Sequence, residues 1–343
     1  MGHAVDRRQG RHRVTTLHLT HTAALAHLAP PGHPERPDRI RVVERSLEQE
    51  RFAGLVREWA PPASTAALIR AHDEAHVAAM MQRLGRGGPA MADDDTPVSS
   101  GTLEAALRSA GAAVQAVDEV MSGQVRNAFS AMRPPGHHAG RARAAGFCFF
   151  NNVAVAARHA RAVHGAGRVA ILDWDAHHGD GTQEIFWDDA SVLFCSTHQW
   201  PLYPGTGAAS ERGAHDTLVN VPLPAGADGA TFREALDVAI LPRIAAFRPD
   251  LILISAGFDA HWRDPLSDLD LTEADFGWAT RRLVDLADAV CGGRIVSLLE
   301  GGYDLIGLAR SAQAHVAALM EPASGCFRRD AGPVVAIPSG ELC

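Results

Sequence analysis

The stretch RVAILDWDAHHGDG (Arg168–Gly181) decides how this sequence folds. Its first part, Arg168–Asp173, is a short apolar run, the pattern of a strand covered on both faces. Its second part crowds Asp173, Asp175, His177, His178 and Asp180 into eight residues bounded by tight-turn glycines. Carboxylates and imidazoles buried at that density are costly unless a cation, a metal or one another matches them. Oxygen and nitrogen donors without a thiolate suit Zn, Fe(II), Mn or Co, and three protein ligands leave a position open for water. A solvated surface loop is the competing reading, and the adjoining apolar strand weighs against it.

The same pattern recurs on either side. Strand-like runs occupy Val125–Ala131, Ser191–Ser196, Leu251–Ser255 and Arg294–Leu299. Helix-like periodicity covers Thr102–Met121, Phe149–His164, Thr231–Phe247, Thr272–Val290 and Leu305–Met320. Thr272, with Asp275 three residues on, has the form of a helix N-cap followed by a first-turn acid. This alternation predicts an α/β fold: three layers, α/β/α, around a mostly parallel central sheet. Residues 1–325 read as a single domain and 326–343 as a poorly ordered tail. Gly85–Ala92, Gly205–Ala214 and Pro222–Gly229 read as loops within the domain rather than linkers.

Each strand runs directly into a segment rich in chemistry. Val125–Ala131 leads to Arg133-Pro-Pro-Gly-His137-His138, and Leu251–Ser255 to AGFDAHWRD ending at Asp264. Arg294–Leu299 leads to Glu300-Gly301-Gly302-Tyr303. In a parallel sheet the carboxyl ends of the strands share one edge, so distant segments converge there. The His137-His138 pair reads as metal ligands, proton shuttles or a polar loop; nearby carboxylates to orient the rings favour shuttles. Tyr303, one of two tyrosines in the chain, is suited to donate its O–H to an oxyanion. The Gly301-Gly302 pair before it permits close backbone approach.

Composition excludes several classes. A formal charge of −8 argues against a nucleic-acid-coating protein. The five cysteines are scattered without a CxxC pair, which argues against a disulfide framework and for a reducing, cytoplasmic setting. The Arg- and His-rich segment Met1–Val14 has no apolar core and does not read as a secretory signal. No apolar run is long enough to span a bilayer.

RPPGHHA (Arg133–Ala139), GFCFFNNVAVAARHA (Gly146–Ala160), DWDAHHGDGTQEIFW (Asp173–Trp187), SAGFDAHWRDPLSDLDLT (Ser255–Thr272) and LEGGYDL (Leu299–Leu305) resemble the histone deacetylase superfamily. The likeness is to class II enzymes, their bacterial homologues and the acetylpolyamine amidohydrolases. GHPERPDRI (Gly32–Ile40) fits as well, so the resemblance runs from about His18 to Met320. It implies an arginase/deacetylase-type fold and a zinc-dependent amidohydrolase, with Fe(II) as the alternative metal.

Carried over position by position, the resemblance implies Asp175, His177 and Asp264 as zinc ligands. His137 and His138 become the tandem pair, His138 the general base, with Asp173 and Asp180 as their carboxylate partners. Tyr303 becomes the phenol that polarises the amide carbonyl. Phe147 and Tyr203 would wall a narrow channel beside Gly146, with Gly301 and Gly302 at the substrate and Leu271 at the rim. Arg36 would lie near an internal channel. A structural potassium ion is implied near Asp173, Asp175, His177, Ser196 and Thr197, and a second near Phe186, Asp189 and Val192. The segment Gly205–Asn220 is shorter than the family pattern, which bears on a rim loop and any subunit contact.

The expected partner is a peptide or small-molecule acyl-amine, with self-association left open and neither nucleic acid nor membrane involved. Acetyl-lysine is favoured over acetylpolyamine because Leu271 is apolar; Asp93–Asp95, Asp268 and Asp270 are the acids that could greet a polyamine. A two-manganese ureohydrolase and a non-catalytic binder of acetylated ligands are the remaining alternatives. The histidine pair and the Gly-Gly-Tyr triplet argue against both.

Overall fold

The structure, a computed structural model, describes residues 15–325. The 326–343 tail, the segment Met1–Val14, Cys326 and Cys343 lie outside the described residues. Eight strands form one sheet: β1 (Thr16–Thr20), β2 (Val56–Trp59), β3 (Asn127–Ser130), β4 (Val169–Asp173), β5 (Val192–Gln199), β6 (Leu218–Leu223), β7 (Leu251–Ala256) and β8 (Ile295–Leu299). Their spatial order is β2-β1-β3-β8-β7-β4-β5-β6, and every neighbouring pair is parallel. The inner strands β3, β4, β7 and β8 are buried at every position, which is why they read as largely apolar runs.

Helices cover both faces. α2 (Thr102–Met121) and α3 (Asn152–His164) pack together on one side. α5 (Glu273–Cys291) and α6 (Leu305–Met320) pack on the other, with α1 (Asp38–Ser46) against α6. The short α4 (Asp180–Phe186) follows the β4 loop. The expected capping box is present: the Thr272 N–H donates to Asp275 Oδ2 at 2.8 Å and starts α5.

The sequence pattern Thr231–Phe247 is not one regular helix. It divides into an α-helix at Gly229–Ala235, a π-turn at Leu236–Ile240 and a second α-helix at Leu241–Phe247. Pro242, at the start of the last piece, has no N–H to continue the ladder, so the preceding turn widens. Among the described residues no helix is long and apolar enough to cross a membrane.

Candidate active site

The four loops singled out in the sequence leave β3, β8, β7 and β4, which are consecutive neighbours in the sheet. Their side chains therefore meet across a few strand spacings, although 36 residues separate His137 from Asp173 and 126 separate Asp175 from Gly301.

Asp175, His177 and Asp259 each bring a ligand atom within 4.8 Å of the others, and all three are buried. His177 Nδ1 lies 3.1 Å from Asp175 Oδ1 and 3.0 Å from Asp259 Oδ2. Backbone donors fix both carboxylates: Gly301 N–H to Asp175 Oδ2 at 2.8 Å, and Ala176 N–H to Asp259 Oδ1 at 2.8 Å. Gly301 must be glycine, because a Cβ there would meet Asp259 Oδ2 at 2.2 Å. Two buried carboxylates converging on one imidazole nitrogen call for positive charge, and these oxygen and nitrogen donors fit a divalent ion.

Burial works against charge on His177, but hydrogen bonds to Asp175 and Asp259 push it up to about 10. Burial raises Asp259 and opposes ionisation of Asp175, yet the charge of His137 and the His177 hydrogen bond hold Asp175 far down.

Asp264, expected as the third ligand, is not in this group. Its carboxylate accepts N–H donations from Tyr303 at 2.6 Å, Asp304 at 3.1 Å and Leu266 at 3.1 Å. These donors tie it to the loop that follows β8, while Asp259, three residues beyond β7, is the carboxylate that groups with Asp175 and His177.

The histidine pair sits as expected beside its carboxylates. His137 Nδ1 is 2.9 Å from Asp173 Oδ2, and His138 Nδ1 is 2.7 Å from Asp180 Oδ1. Burial disfavours charge on His137, but the carboxylates of Asp173 and Asp175 raise it well above the ordinary imidazole range. His138 goes the other way, lowered to about 4 by burial and by the charge of His137. Burial lifts Asp173 to about 6, whereas hydrogen bonding to His138 and the charge of Arg143 overcome burial and hold Asp180 at about 2.

Tyr303 follows β8, and burial pushes its phenol well above the usual tyrosine range, so it remains an O–H donor. Arg39 lies over its ring at 4.9 Å and donates to the Gly302 carbonyl at 2.7 Å and the Glu300 carbonyl at 2.5 Å. Arg36, expected near an internal channel, is instead half-exposed and pairs with Asp38 at 3.8 Å. Arg39, one helical turn on, is fully buried behind the site.

A cavity of about 310 Å3 opens beside these groups, with His138, His177 and Tyr303 in its lining. Phe147 and Tyr203, expected as channel walls, both line it, as does Gly146. Phe147 holds a left-handed φ of 68°, a strained conformation for a bulky residue and one typical of functional sites. Gly146 needs its missing side chain, because a Cβ would meet His138 Cδ2 at 2.4 Å. Leu271, expected at the rim, is fully buried and bridges to His261; Leu202 and Leu266 are the leucines that line the cavity. Gly301 and Gly302, expected at the substrate, are not in the lining; Gly301 backs the carboxylates instead.

The implied potassium positions cluster in two places. Asp173 and Ser196 are register partners on β4 and β5, with Asp175, His177 and Thr197 adjoining them in sequence. Ser196 Oγ is 2.8 Å from His198 Nδ1. Phe186, Asp189 and Val192 are joined by backbone hydrogen bonds of 3.1 and 3.4 Å. The Asp189 carboxylate is already paired with Arg158 and Arg161, which leaves backbone oxygens as the donors there.

Sequence reasoning missed Asp259, Arg39 and the cavity-lining Leu202 and Leu266, while Asp95, named with Asp93 and Asp94 as an acid that could meet a polyamine, does line the cavity. Asp259 had a usable signal: it stands in the same loop as Asp264 but nearer the strand end.

The histone deacetylase domain family matches residues 33–319. A protein named "Probable deacetylase" from Archaeoglobus fulgidus is 41% identical over 293 residues, covering 84% of this chain and 81% of the relative. The histone deacetylase-like amidohydrolase of Pseudomonas aeruginosa is 40% identical over 277 residues, 79% of this chain and 73% of that one. The crystal structure of the HDA15 HD domain superposes with a TM-score of 0.86 at 38% identity, over 91% of this chain and 89% of that chain.

Proposed function

Because this chain belongs to the histone deacetylase family and is one of its deacetylase/amidohydrolase enzymes, we propose that it hydrolyses an N-acyl amide on a linear alkyl amine, with acetyl-lysine in a peptide or protein as the favoured substrate. One observation carries the reading: a member of the ligand cluster (His177), a member of the histidine pair (His138) and the Tyr303 phenol line the same cavity.

Asp175, His177 and Asp259 would hold a divalent ion, zinc or alternatively Fe(II). When bound, such an ion supplies Lewis acidity toward an acyl carbonyl and an acidified water. His138, neutral near pH 7 and tied through Nδ1 to Asp180, offers Nε2 to accept the water's proton and later return it to the departing amine. Asp173 orients His137 in the same manner. Tyr303, protonated at every working pH, donates its O–H to the oxyanion that develops from the acyl carbonyl. Gly301 keeps the two ligand carboxylates in place through its N–H and its missing side chain. Structural potassium at the two backbone-oxygen clusters belongs to the same proposal. The free, buried thiols of Cys148, Cys195 and Cys291 support a reducing compartment such as the cytoplasm.

Leu202 and Leu266 beside the two aromatic rings favour an uncharged alkyl stem, as in acyl-lysine. Asp95, also in the lining, is the observation that keeps an acetylpolyamine in view. Acetate release is to be compared on an acetyl-lysine peptide, longer acyl-lysines and acetylputrescine, each with and without a chelator. Chelator-sensitive turnover with preference for the peptide is expected. A large preference for acetylputrescine would overturn the substrate assignment, and release untouched by chelator would overturn the metal-dependent chemistry.

A further inference from the structure

The His138–Asp180 pair has a third member. Arg143 lies five residues beyond His138, and its Nη2 donates to Asp180 Oδ2 at 2.6 Å. Its Nη1 donates to the His138 carbonyl at 3.2 Å and its Nε to Glu184 Oε2 at 3.2 Å. Asp180 and Glu184 stand one turn apart on α4, so one guanidinium faces two carboxylates that would otherwise repel. The loop carrying Arg143 is stapled to the same helix, since the Arg141 N–H donates to Glu184 Oε1 at 2.9 Å. The Gly140 N–H donates back to the Arg143 carbonyl at 3.0 Å.

The two histidine partners are anchored differently. Asp173 gives one oxygen to His137 and the other to the Asp175 N–H at 3.1 Å, a backbone donor that cannot swing away. Asp180 gives one oxygen to His138, and its other oxygen is held by the Arg143 side chain alone among the described residues. A charge-assisted bond at that oxygen stops the carboxylate from rotating and so fixes which His138 nitrogen carries the proton.

We propose that Arg143 is a positioning residue for proton transfer, holding Asp180 by the oxygen that His138 does not use. This rests on the functional reading above. Arg143→Ala lowers kcat roughly 5- to 20-fold with KM changed less than about twofold, the size of effect that outer-shell partners have. Arg143→Lys recovers part of the loss. The guanidinium is 41% exposed, so millimolar guanidinium added to Arg143→Ala reaches the gap and restores turnover, whereas equal sodium chloride does not. In an Asp180→Asn background, Arg143→Ala changes nothing further.

Histidine-selective nitrogen NMR reads the same contact without turnover: the His138 Nδ1–H resonance moves in Arg143→Ala and stays in Glu184→Gln. Unchanged kcat in Arg143→Ala, an equal loss in the Asp180→Asn background, or an unmoved His138 resonance overturns the inference. A wild-type protein inactive on every acyl-amine sinks the functional reading instead, and the NMR signal then decides on Arg143 by itself.

Discussion

Asp175, His177 and Asp259, and likewise Asp118, His159 and His164, bring their ligand atoms within 4.8 Å of one another. The two groups differ in what surrounds them. The first sits at the ends of β4 and β7, with two carboxylates each fixed by backbone N–H groups and, among the described residues, no arginine in hydrogen-bond contact. The second joins α2 to α3 at the surface, where Asp118 is 45% exposed and a single oxygen serves both His159 Nε2 at 2.7 Å and His164 Nε2 at 2.6 Å. Arg70 donates to His159 Nδ1 at 2.9 Å, so that nitrogen accepts and Nε2 carries the proton given to Asp118. This outer group is satisfied by hydrogen bonds alone. Ligand spacing does not make a metal site; uncompensated buried charge on a backbone-fixed scaffold does.

The contrast is broken most severely by exchanging one carboxylate in each group. Asp259→Asn is expected to lower kcat/KM by roughly 10³-fold or more, the rate equivalent of several kcal/mol of Lewis-acid stabilisation. Asp118→Asn is expected to leave it within about twofold, as for a surface change away from the chemistry. Steady-state acetate release measures both, and equal losses would erase the distinction. Next in size, Tyr303→Phe should reduce kcat by roughly 10²–10³, the cost of one oxyanion donor. Near-wild-type turnover in that variant would remove the phenol from the chemistry that separates the inner group from the outer.

Buried imidazoles elsewhere sharpen the contrast through pH. Burial lowers His72 and His198 to about 4 and His315 to about 3, from an ordinary 6.5. The unfolded chain therefore takes up protons first as the solution is acidified. Stability is full above pH 6.5 and lost as pH falls toward 4, by roughly 3 kcal/mol for His72. Thermal melts should show Tm falling across that window, with the fall reduced in His72→Gln; a flat profile would contradict it. The smallest effect belongs to the outer group: Asp118→Asn should cost on the order of 0.5 kcal/mol, since its carboxylate is largely solvated. Denaturant unfolding that shows a loss several times larger would mean the α2–α3 tie is stronger than its exposure implies.

The inner strands and their loops were legible because burial on both faces writes a largely apolar run that stops at the site. β1, β2 and β6 were not read as strands. TLHLT at β1 alternates with polar residues, VREW at β2 is an exposed edge, and LVNVPL at β6 carries an asparagine and a proline. The expected site positions that differ from the residues grouped in the structure share one cause. Asp264, Leu271 and Arg36 each have a chemically identical neighbour three to five residues away, and only the path of the chain decides which one faces inward. Asp259 precedes the turn, Leu266 reaches the cavity while Leu271 turns into the core, and Arg39 falls on the buried face of α1. The histidine–carboxylate pairs agree with what the resemblance implied: Asp173 ends β4 and Asp180 opens α4, each within hydrogen-bond distance of one histidine.

We propose Asp259, in place of the Asp264 that the resemblance implies, as the third ligand beside Asp175 and His177. Metal content of the purified protein, measured beside Asp259→Asn, Asp264→Asn and Asp118→Asn, tests this directly. About one tightly bound divalent ion per chain is expected in the wild type, in Asp264→Asn and in Asp118→Asn, and none in Asp259→Asn. Retention of the ion by Asp259→Asn together with its loss from Asp264→Asn would contradict the account.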